Sequence, residues 1–178
     1  MSHAAFTQVL HSEMHLLVES MFTELRANPG TSHYHRLDNA EWLRRGQAVY
    51  ENLLDWLASR DLSLVHKAGT SLGQKRFAEG IPLGQVVLAV LLEEKHLWKN
   101  PATTPFANDV ELVRATSEFF QEFIYWTARG FAAELDSGKL PPGRVIPPPV
   151  QHMPKKPAQQ QDAAELITRG GQIAEFGG

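Results

Sequence analysis

The sequence predicts an all-α protein, a bundle of about five helices followed by a Pro-rich, extended C-terminal tail. Three observations carry that expectation: apolar residues recur at three- and four-residue steps, capping residues stand ahead of several such stretches, and no strand pattern interrupts them. The Val-rich run from Val86 could alone pass for a buried strand, but a lone strand would have no partner to pair with.

The first helix follows from Phe6, Leu10, Met14, Leu17 and Met21, and Asn28-Pro29-Gly30 ends it. A loop from Thr31 to Leu37 leads to Asp38, an N-cap with Glu41 at capping-box spacing. In the next helix Trp42/Leu43, Val49/Tyr50, Leu53/Leu54 and Trp56/Leu57 share one side, and Arg44, Arg45, Glu51 and Asp55 fall away from it. Asp61 caps a third helix through Leu64, Val65, Ala68, Leu72 and Phe77. Its Gly69 and Gly73 lie four apart on one face, at a cost in helix propensity that points to close approach of a neighbouring backbone.

Gly80 suits the position after that helix, where φ is positive, and Pro82 suits the first turn of a fourth. Seven consecutive apolar residues, Val86 to Leu92, leave this helix no polar face for two turns, so its own bundle or a second subunit must cover it. Val86 and Val90 are the partner-contact candidates there, and Glu93-Glu94 would solvate its end. After a loop marked by Asn100-Pro101 and Pro105, Asn108 or Asp109 opens the last helix, to about Leu135. Val110, Val113, Phe120, Phe123 and Phe131 keep helical spacing in it, while Phe119, Tyr125 and Trp126 widen the apolar arc beyond one stripe.

The composition changes beyond Asp136. Residues 1–136 read as the helical sensory or interaction domain, 137–161 as a semi-rigid Pro-rich linker, and 162–178 as a short helical docking tail. In that tail Leu166, Ile167, Ile173 and Phe176 supply the apolar residues for a partner.

A chain of 178 residues with 43% hydrophobic content suits one sizeable core. A net charge of −3, from 17 basic and 20 acidic residues, gives no reason to expect nucleic acid or an anionic membrane as partner. The absence of cysteine excludes disulfides, thiolate metal sites and a cysteine nucleophile. The first residues lack the basic start and apolar run of a signal peptide, and no apolar stretch reaches the ~20 residues of a membrane helix. A cytoplasmic protein without membrane insertion is expected.

Little recognisable chemistry remains. His11 and His15 share a helix face with Glu19, but Glu13 stands two residues after His11 rather than directly behind it, so the metalloprotease helix motif is not formed. His33, His35 and His66 are lone signals. His96, near Trp98, raises the question of haem, and a hydrogen-bonded structural histidine is the expected answer. With no phosphate loop, nucleophile elbow or carboxylate cluster, no catalytic residue, metal or cofactor is expected.

From about Asp38 to Trp98 the pattern Leu53-Leu54-Asp55-Trp56-Leu57, Leu72-Gly73, Arg76-Phe77, Gly80-Ile81-Pro82-Leu83 and Val86-Val87 resembles the N-terminal sensory domain of the RsbRD type, found on stressosome co-antagonists and some signalling proteins. The resemblance implies a globin-like bundle that dimerises and relays a signal without an established cofactor. The chain departs from that family in carrying a Pro-rich tail where a phosphorylatable output domain would follow. The expected function is a non-enzymatic sensory or regulatory protein-interaction module in signal transduction, working as a homodimer or in a heteromeric complex. The second expectation is an accessory subunit of a larger complex, tethered through its tail.

Overall fold

Five α-helices build the described part of the chain: α1 (His3–Ala27), α2 (Asn39–Ser59), α3 (Leu62–Ala78), α4 (Leu83–Lys99) and α5 (Val110–Asp136). Short 3-10 segments at Pro29–Arg36 and Thr104–Phe106 complete them. The computed structural model describes residues 3–140 and residue 142, and no strand occurs among them. The chain divides into two units, residues 1–144 and 145–178. The second lies outside the described residues, and with it the expected docking residues Leu166, Ile167, Ile173 and Phe176.

The helix starts follow the sequence. Asp38 accepts a hydrogen bond from the Glu41 N–H at 2.8 Å, Asp61 from that of Ser63 at 2.8 Å, and Asp109 from that of Leu112 at 3.2 Å. Gly80, at φ 71°, ends α3 in a Schellman turn: its N–H bonds the Phe77 carbonyl at 2.9 Å and the Ile81 N–H bonds that of Arg76 at 3.0 Å. Pro82 stands one residue ahead of α4, as its N-cap. The expected loop at Thr31–Leu37 is instead mostly 3-10 helix, because Pro29 presets φ and the Asn28 side chain accepts from the Gly30 N–H at 2.9 Å.

The closest packing joins α3 to α5. A Cβ on Gly69 would stand 2.9 Å from the Phe123 carbonyl oxygen and from the Trp126 Cβ, and one on Gly73 would overlap the Thr127 carbonyl. Gly130 of α5 lies equally close to Thr70. The backbone approach expected from the glycine spacing is therefore present, and α5 supplies it.

Phe6, Leu10, Leu17, Met21 and Leu25 of α1 are fully buried with Tyr50 and Leu53 of α2. Each such side chain contributes about 1.5–3 kcal/mol of burial energy. Phe119, Phe120 and Phe123 are buried by the chain's own core, whereas Val110 and Tyr125 stay exposed. The same holds for α4, which packs on α1, the 29–36 segment, α3 and α5. Val86 and Val90, expected at a partner contact, are 1% and 3% exposed and belong to this chain's core. Within the apolar run only Leu91, at 46%, opens outward.

Candidate functional site

Helix α2 brings Glu41, Arg44 and Arg45 to its first turns, and the end of α3 brings Arg76 and Glu79 beside them. Glu41 spends its carboxylate on Arg44 (2.6 and 2.8 Å) and Arg45 (2.5 Å) rather than on the reciprocal half of a capping box. Arg45 then forks onto Glu79 at 2.9 and 3.0 Å, and Arg76 Nη1 donates to both oxygens of the same carboxylate at 2.9 and 3.1 Å. The result is a continuous chain, Arg44–Glu41–Arg45–Glu79–Arg76, that ties α2 to α3. The arginines at its head hold the Glu41 carboxyl down at about 2, Arg44 most strongly. Arg45 was expected to face away from the core, yet its side chain is only 11% exposed.

Beside this chain a cleft of about 440 Å³ opens between α2 and α3. Arg44, Arg45, Lys75 and Arg76 give it four cations, against the two carboxylates Glu41 and Glu79. Lys75 makes no ion pair with any described residue. Val49, Leu72 and Phe123 give it an apolar lining. Its volume falls within the range of small-molecule sites.

Beneath the ionic chain lies Glu93 of α4. It is 6% exposed, and its Oε2 has no hydrogen-bond partner among the described residues. Burial pushes its carboxyl up to about 8 against the pull of Arg76, so near neutral pH it carries its proton. Tyr50 donates to the Glu93 carbonyl at 3.2 Å, and Tyr34, which feels the same charges, is pushed up to about 12 by burial. Glu93 was expected to solvate the end of the apolar run. Its register explains the reversal: it follows Val86 by seven residues and Val90 by three, on the buried face.

A second cluster lies between α1 and α4. The Ser20 hydroxyl sits 2.8 Å from His96 Nε2, and His96 Nδ1 donates to Glu24 at 3.1 Å, a bond that holds the Glu24 carboxyl below its ordinary value. The order serine, imidazole, carboxylate is that of a hydrolytic triad. Ser20 is nevertheless exposed in the middle of α1, where backbone N–H groups serve the helix and none is free to hold an oxyanion. Its hydroxyl also lies 3.0 Å from the Leu17 carbonyl, which competes with His96 for the single hydroxyl proton.

Both ring nitrogens of His96 are thus engaged by side chains. His15 makes an exposed pair with Glu19 at 3.4 Å. Among the described residues no three His, Asp or Glu side chains group to hold a metal, and no helix is long and apolar enough to cross a membrane. No known family model, curated protein or solved structure matches the chain.

Proposed function

We propose that the chain is a non-enzymatic sensory and regulatory module of signal transduction, acting through protein contacts and sensing at the α2–α3 cleft. One observation carries this reading: a buried carboxyl, Glu93, feels the charge of Arg76, which ends an ionic chain beside the cleft. A buried polar group with an unpaired oxygen costs stability and serves packing poorly. Placed under Arg76, it makes the α4 core responsive to what neutralises that guanidinium. The Ser20–His96–Glu24 arrangement supports catalysis less well, since it lacks oxyanion donors.

Val86 and Val90 lie in the core, and the apolar residues that α4 and α5 leave exposed, Leu91, Val110 and Tyr125 among them, are the contacts offered to a second copy or to another protein partner. Full-length chain and a chain ending at Asp136 are used as baits, and the recovered partner is quantified by mass spectrometry. Retention of the same partner by the shorter bait supports the bundle as the regulatory surface. Loss of it favours an accessory subunit held by its tail.

A further inference from the structure

We propose that the α2–α3 cleft binds a small amphipathic carboxylate, its head on the side edge of Arg76 and its apolar body against Val49, Leu72 and Phe123. Arg76 is 7% exposed, and only its Nη1 is taken, by Glu79. Its Nε and Nη2 make no hydrogen bond with any described residue. Neither nitrogen is sealed off, and the residue lines the cleft, which is the surface we assign to these donors.

A guanidinium held on one side and unpaired on the other is the unusual feature. Nε and Nη2 form a planar two-donor edge that matches the two oxygens of a carboxylate. The neighbouring Arg44 makes this recognition within the protein, its Nε and Nη2 donating to the two oxygens of Glu41 at 2.8 and 2.6 Å. Lys75 adds a cation that no described carboxylate answers, and Asn52 and Ser71 add neutral polar groups beside it. The charge excess favours a single anion, and the apolar lining favours one with a hydrocarbon body over a bare inorganic ion. This deepens the cleft-sensing reading and rests on it only in the choice of surface. Titration of purified chain reads binding alone and partner capture reads regulation, so the two can fail separately.

The test is calorimetric titration of the full-length protein with sodium octanoate, inorganic phosphate, octyl phosphate and octanol. Octanoate is expected to saturate a single site up to millimolar concentration and to bind tighter than the other three. Arg76→Lys, which keeps the charge and loses the fork, should weaken it at least about tenfold, and the exposed Lys75→Glu should do the same. Arg114→Gln on the distant face of α5 should leave it unchanged. If Arg76→Lys fails to fold, Lys75→Glu against Arg114→Gln carries the test. Absence of saturable binding, equal binding of phosphate or octanol, tighter octyl phosphate, or octanoate binding indifferent to Lys75→Glu would each overturn the proposal.

Discussion

Gly73 of α3 lies directly against the Thr127 carbonyl of α5, with no room between them for a single methyl group. Adding one should improve helix propensity by up to about 1 kcal/mol and still lose, because the overlap is with backbone that cannot rotate away. Gly73→Ala is expected to destabilise the protein by about 2 kcal/mol or more in urea unfolding. Gly84, in the first turn of α4, meets nothing within 4 Å, and Gly84→Ala should instead stabilise by about 0.5 kcal/mol. If the two substitutions have the same sign, the packing account of the glycine face is wrong.

Glu93 makes stability depend on pH with a defined sign. The folded chain keeps its proton up to about 8, whereas the unfolded chain releases it near 4.5. Between those values the folded state binds more protons, so stability falls as pH rises and levels off above about 8. Glu93→Gln mimics the protonated form and should remove that falling limb, leaving the variant more stable than the parent at alkaline pH by on the order of 5 kcal/mol. Thermal unfolding across this range checks it, and parallel curves for the two proteins would count against a buried carboxyl.

The Trp56 Nε1–H donates to the Ala115 carbonyl at 2.9 Å, joining α2 to α5 in the core. Trp56→Phe removes the bond and part of the ring volume, and is expected to cost about 2 kcal/mol in urea unfolding. A loss within error would mean that the ring's packing is easily replaced.

Much of the fold was legible because its signals are local. Asp38, Asp61, Asp109 and Gly80 act within four residues of themselves, and the Gly69–Gly73 spacing announced a close neighbour without naming it. The site was less legible. Arg45 meets Glu79 across 34 residues and Ser20 meets His96 across 76, distances at which periodicity is silent. Glu93 is legible from position, since Val86, Val90, Glu93 and Leu97 keep one helical register, whereas its charge points to the solvent. Arg76 likewise continues the buried stripe of Val65, Gly69 and Gly73.

The non-enzymatic reading is tested most directly at Ser20. Full-length protein treated with a fluorophosphonate, a reagent that labels activated serines, is digested and analysed by mass spectrometry beside a known serine hydrolase. Ser20, with no oxyanion donors and its hydroxyl proton contested by the Leu17 carbonyl, should remain unlabelled while the hydrolase reacts. An adduct on Ser20 that His96→Ala abolishes would contradict it and make the Ser20–His96–Glu24 cluster a working triad.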